Sequence, residues 1–227
     1  MSRTVPGPPR RVREMQSRLA AAYGETGWWP ADDRFEIMVG AVLTQNTAWT
    51  NVEYALAHLR AADAVSPEAI AALSHARLGE LIRPSGYFNM KATRLQALCH
   101  FVLEAGGVDG LAQWETTALR DRLLAINGIG PETADDIVLY AFHRPVFVID
   151  AYTRRIFSRL GLCSGREPYE ELRAGFERAL GPDVRGYKEY HGLIVIHAKE
   201  ACQKRPTCAQ CCLRRCCPVG RGERAPD

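Results

Sequence analysis

Lysine is almost missing from this chain. Of 29 basic residues only Lys91, Lys188, Lys199 and Lys204 are lysines, and none lies between residues 92 and 187. Chemistry that needs an amine nucleophile on that middle stretch is therefore excluded. Long apolar runs are lacking as well: nothing approaches the ~20 residues of a membrane span, and the opening MSRTVPGPPRR has no signal-peptide core. The expectation is an intracellular protein with no membrane partner. The alternating pattern that marks strands is absent too, which leaves an all-α class, and no repeat of solenoid period occurs.

The 227 residues, 47% apolar and 24% charged, suffice for a full core in one domain or two small lobes. A net charge of +3 permits a nucleic-acid partner without requiring one. The arginines are clustered, however, around Arg10 to Arg18, Arg154 to Arg159 and Arg214 to Arg224. That is the form a phosphate-contacting surface takes.

Residues 1–9 are polar and proline-rich and read as a disordered leader, and residues 218–227 read as a disordered tail. Val12, Met15, Leu19 and Tyr23 recur at helical spacing. Phe35 to Leu43 is nearly all apolar and predicts a buried helix, although period alone does not separate it from a buried strand. Ser66-Pro67 caps a short helix carrying Ile70 and Leu73. Residues 83–91, RPSGYFNMK, read as a loop, and Leu95 to Leu103 as a helix that stops at Gly106-Gly107. Later helices are centred on Leu119 to Leu124, Thr153 to Leu160, Leu172 to Leu180 and Leu193 to Ile196. Cys99 and Cys163 fall on apolar helical stretches as small core residues.

Gly128-Ile129-Gly130 forms a tight turn between two amphipathic runs, and Pro131 opens the second, where its missing N–H costs nothing. Glycines at such a turn allow positive φ and leave the amides of the turn and of the next helix facing outward. An anion such as a phosphodiester fits there. Farther on, the apolar run Val146 to Ile149 delivers one carboxylate, Asp150, which by position is also a helix N-cap.

Cys202, Cys208, Cys211 and Cys217 make C-x5-C-x2-C-x5-C, with Cys212 and Cys216 left over. Four thiolates so close together wrap one soft metal centre, either tetrahedral zinc or an iron–sulfur cube. The spare cysteines leave the fourth ligand open between Cys217 and Cys216. Lys204, Arg205, Arg214 and Arg215 stud the same loop, which suits phosphate contact.

The hairpin, the aspartate at its spacing and the cysteine loop together resemble the helix-hairpin-helix Gly/Pro…Asp superfamily of DNA glycosylases, that of endonuclease III. The resemblance runs from about residue 12 to residue 217. It implies a two-lobed all-α fold: residues 10–32 with 145–217 in an iron–sulfur lobe, and 33–144 in a six-helix lobe holding the helix-hairpin-helix, 123–142. A monomer would hold double-stranded DNA with a damaged base in the cleft. The resemblance implies a [4Fe-4S] cluster, although the first cysteine interval is one residue shorter than is usual there. It also implies that Asp150 is catalytic, with Gly128, Ile129, Gly130 and Glu132 holding phosphate.

Glu132 marks a departure. Bifunctional enzymes of the superfamily carry a lysine at that place as the nucleophile for strand cleavage, and a glutamate cannot form an imine. The chain is expected to be a monofunctional, hydrolytic base-excision-repair enzyme. WWP at 28–30, LTQNT-x-aromatic at 43–49 and RPSGYFN-x-KA at 83–92 are similar to the 3-methyladenine glycosylase branch. That branch implies a base pocket of Trp28, Trp29, Pro30 and Trp49, with Gln45 and Tyr87 as the wedges that fill the opened duplex. The alternatives are an endonuclease III-type glycosylase/lyase for oxidised pyrimidines and a catalytically silent damage-binding homologue.

Overall fold

A computed structural model describes residues 5–29, 31 and 33–226, and among these it contains no strand. The chain divides into two compact units, residues 1–30 with 145–227, and residues 31–144.

The discontinuous unit opens with helix α1 (Pro9–Tyr23), whose Val12, Met15 and Leu19 are buried at the spacing the sequence shows. Order begins ahead of residue 10, because Pro9 starts the helix and Pro6 is buried. At the other end Val219 is buried, so the segment from residue 218 begins as packed chain rather than free tail.

In the continuous unit, α2 (Arg34–Leu43) is the predicted buried helix, with Phe35 and Ile37 to Leu43 all buried and Asp33 capping it through the Glu36 N–H. It is followed by α3 (Trp49–Ala61), α4 (Pro67–Ala72) and α5 (His75–Leu81). Ser66 caps α4 as its position suggests. Next come α6 (Phe88–Glu104), α7 (Gly107–Ala112), α8 (Thr116–Leu124) and α9 (Pro131–Asp136). α2, α4, α5 and α7 all pack on α6. The loop read over 83–91 ends four residues early, since α6 starts at Phe88 and takes in Lys91. Its N-cap is Tyr87 in the left-handed region at φ 46°, a residue with no capping side chain and hence no sequence signal. Beyond α9 the helix widens to a π turn over Ile137–Ala141, closed by Phe142 N–H on the Ile137 carbonyl.

The chain then returns to the first unit through the buried run Val146 to Ile149, in which the Phe147 and Ile149 N–H groups donate to Glu177 and to the Tyr169 hydroxyl. α10 (Ala151–Arg159), α11 (Tyr169–Leu180) and α12 (Val184–Glu200) complete it. Phe147 stacks on Phe176 at 4.5 Å between centroids, with Phe157 and Tyr190 edge-on around them. This aromatic core fixes where that buried run ends, and so where Asp150 stands. Cys163 is a half-buried loop residue after α10 rather than helical core, while Cys99 is buried in α6 as expected.

Candidate functional site

The hairpin joins α8 to α9. Gly128 has φ +86°, and a Cβ there would also collide with the Arg94 side chain, so two separate constraints require glycine. Gly130 differs from the expectation of positive φ: at φ −89°, ψ 177° it is extended, and a Cβ on it would meet nothing within 4 Å. What glycine provides at 130 is clearance on the outside of the turn. Ile129 is buried and pins the turn, whereas Glu132 lies exposed in the first turn of α9. Behind the hairpin Asp135, fully buried, receives a forked pair from Arg120 of α8 at 2.6 and 3.2 Å. Sequence reading gave no hint of that brace, because both partners resemble surface charges.

Gln45 is brought directly onto the hairpin. Its amide nitrogen donates to the Gly128 carbonyl at 3.0 Å and to Thr133 Oγ1 at 2.9 Å, and its oxygen accepts from Arg94 Nη1 at 2.5 Å. Lys91, one turn earlier in α6, is 1% exposed and donates to the carbonyls of Leu43 and Ser85 at 2.8 and 2.7 Å. Burial pushes its pKa down to about 8. One face of α6 thus ties the hairpin to the segments that carry Gln45 and Tyr87. Tyr87 stands 65% exposed in its left-handed conformation, and Trp49 is half-buried as the first residue of α3.

In the other unit Asp150 caps α10. Its Oδ1 accepts from the Thr153 N–H at 2.6 Å and the Thr153 hydroxyl at 2.7 Å. Oδ2 is turned instead toward His191 Nε2 on α12, 3.6 Å away. Burial alone would raise this carboxyl; His191 and the two bonds from Thr153 outweigh it and hold Asp150 below its ordinary value. A carboxylate kept ionised in a buried place, with one oxygen on its own helix and the other turned toward a histidine, is equipped to face a developing positive charge.

Trp28 is half-buried against Gly192, the residue after His191, and a Cβ there would run into the indole. Glu189, also on α12, accepts from the Thr26 N–H and hydroxyl at 2.9 and 3.1 Å and fixes the loop leading to Trp28. α12 therefore contacts both Asp150 and Trp28 through successive residues. Trp29 follows at φ 72°. Pro30 lies outside the described residues. His191, Glu189 and Gly192 were missed because they sit in an ordinary amphipathic helix far along the chain.

Cys202, Cys208, Cys211 and Cys217 line one cavity with Ile156 and Leu213, and neither Cys212 nor Cys216 lines it. Cys216 Sγ instead lies 3.8 Å from Met15 Sδ. Arg159, buried to 1%, sends Nη1 to the carbonyls of Cys202 and Gln203 and Nη2 to that of Lys204, while its Nη1 stands 3.3 Å from Cys202 Sγ. Among the described residues no three His, Cys, Asp or Glu side chains are grouped as ligands of a single ion.

An all-α frame that presents a glycine hairpin and a helix-capping, ionised aspartate is the frame of a base-excision DNA glycosylase. The chain belongs to the HhH-GPD superfamily of base excision DNA repair proteins, whose model matches residues 39–182. It is 46% identical over 198 residues, 86% of this chain and 90% of the other, to "Putative DNA repair glycosylase MJ1434" of Methanocaldococcus jannaschii. It is 28% identical to endonuclease III of Thermotoga maritima across 93% of this chain and 94% of that protein. Among solved structures, the 3-methyladenine DNA glycosylase MagIII of H. pylori bound to 1,N6-ethenoadenine superposes with a TM-score of 0.73 at 31% identity, over 85% of this chain and 97% of that one. Endonuclease III in a non-covalent DNA complex superposes at 0.81 with 21% identity, over 95% and 98%, a likeness of fold. No helix among the described residues is long and apolar enough to cross a membrane.

Proposed function

We propose that this protein is a monofunctional DNA N-glycosylase that releases alkylated bases, 3-methyladenine first, and leaves the abasic strand uncut. The observation that carries the reading is Asp150, a buried carboxylate held ionised with Oδ1 bound to Thr153 and Oδ2 turned away from that cap. Loss of the base builds oxocarbenium character on the sugar, and the ionised carboxylate stabilises that charge and orients water for attack. Glu132 stands where an amine would be needed for strand cleavage. The one lysine of the hairpin's unit, Lys91, is directed into the protein at two carbonyls.

Alkylated purines carry electron-poor rings and weakened glycosidic bonds, so the stacking pocket that the resemblance implies for Trp28, Trp29, Pro30 and Trp49 would favour them. The ethenoadenine bound by MagIII is a ligand of that kind in a structural relative. The hairpin amides, with open space outside Gly130, receive a backbone phosphate. Tyr87, exposed and in a conformation unusual for a non-glycine residue, is the intercalating wedge.

The cysteine loop fits a [4Fe-4S] cluster held by Cys202, Cys208, Cys211 and Cys217. All four thiols line one cavity, and in a cube each thiolate binds a different iron. When bound, the cluster anchors the loop and takes no part in releasing the base.

Single-turnover assays on duplexes with alkylated, deaminated or oxidised bases test the reading. Release of 3-methyladenine is expected, with no protein–DNA adduct after borohydride. An efficient adduct, with strand scission at thymine glycol and no 3-methyladenine released, would transfer the assignment to a glycosylase/lyase. Protein prepared without oxygen should be brown and hold about four irons per chain. One equivalent of zinc in place of iron would remove the cluster from the proposal.

A further inference from the structure

Arg94 occupies an unusual place. Its stem covers the hairpin turn so closely that Gly128 has no room for a Cβ. One end of the guanidinium, Nη1, is well used on Gln45 Oε1 at 2.5 Å. The other, Nη2, is directed at the thioether of Met90 at 2.9 Å, and Met90 is 47% exposed. A thioether is a weak acceptor for a guanidinium, whose forked donors match the oxygens of a phosphate far better. Among the described residues no acidic side chain pairs with Arg94. Arg120, half-buried like Arg94, lies beside the same hairpin and has a forked carboxylate partner in the buried Asp135. The protein neutralises Arg120 with a carboxylate, whereas Arg94 keeps its charge at the turn and turns Nη2 to sulfur.

We propose that Arg94 grips a backbone phosphate of the duplex at the hairpin, with Nη2 leaving Met90 Sδ for a phosphate oxygen while Nη1 remains on Gln45. The inference rests on the reading of the hairpin as the DNA-binding turn and adds a side-chain cation to its amides. It also couples phosphate contact to Gln45, because the same guanidinium bonds both. Arginine rather than lysine is called for, since an ammonium lacks the planar fork needed to hold an amide oxygen and a phosphate at once.

The experiment is the salt dependence of affinity for an undamaged duplex, measured by fluorescence anisotropy from 50 to 200 mM salt for the wild type, Arg94→Gln and Arg94→Lys. Each phosphate neutralised contributes about 0.9 to the slope of log affinity against log salt. Arg94→Gln should reduce the slope by that amount, so over this range the wild type should lose about 3.5-fold more affinity than the variant. Arg94→Lys should keep the wild-type slope, because the charge persists. Thermal melts of both variants report whether the fold is intact. Folded Arg94→Gln with an unchanged slope would reduce Arg94 to a brace for Gln45 and overturn the proposal. Wild-type protein with no affinity for duplex at the lowest salt would instead overturn the reading of the hairpin itself.

Discussion

Lys91 in one unit and Asp150 in the other are both buried charges, 1% and 8% exposed, and the two are handled in opposite ways. The lysine is directed at two main-chain carbonyls that end neighbouring segments, so its charge is spent on holding backbone in place. The aspartate spends one oxygen on its helix and turns the other toward His191, 3.6 Å away, which helps hold it ionised. A buried charge bonded to fixed groups serves structure. One left partly unspent is available for chemistry.

Asp150→Asn breaks the comparison most severely. The amide oxygen still accepts the cap from Thr153, but the charge is lost, so single-turnover base release should fall by about 10²–10³-fold, with melting temperature and duplex affinity little changed. Unchanged excision would remove Asp150 from the chemistry. Lys91→Met should have the converse signature. It strands the carbonyls of Leu43 and Ser85, which costs about 3 kcal/mol in a denaturant titration, while the chemical step of the folded fraction is retained. A variant as stable as the wild type would show that those carbonyls find other partners.

Thr153→Val sharpens the aspartate side. It removes the hydroxyl bond to Oδ1 and keeps the N–H bond, so neutral-pH release should slow by less than about tenfold. The hydroxyl helps hold the Asp150 pKa down. Without it the pKa rises, the carboxylate protonates at a higher pH on acidification, and the acid limb of the rate profile should move upward. The smallest effect concerns Lys91. Its folded pKa of about 8 lies below the ordinary 10.5, so between those values the unfolded chain binds the extra proton. Wild-type stability should therefore rise over that interval relative to Lys91→Met, and parallel melting curves would contradict the shift.

How much of this was legible depends on the range of the cause. Gly128 and the Asp150 cap could be read from sequence because turn sterics and capping act within a few residues. The buried run of α2 was legible as helix from its length and its alanine and glycine content. The start of α6 was not, since Tyr87 offers no capping side chain and Lys91 reads as loop until its two carbonyls are in view. The helix-hairpin-helix is read as reaching residue 142, and nothing in Ile137-Val138-Leu139-Tyr140-Ala141 announces the π turn within it. His191, Glu189 and Arg94 act through tertiary contacts on helices whose periodicity is ordinary. For the same reason Gln45 showed its residue type in advance, but not its three bonds to the hairpin and Arg94.

The wrapping of Arg159 by the carbonyls of Cys202, Gln203 and Lys204 makes α10 a clasp on the chain that follows α12. Those bonds run to main-chain oxygens alone, so the first bend of the cysteine loop is held without drawing on its sulfurs, and a change at the thiols leaves this clasp closed.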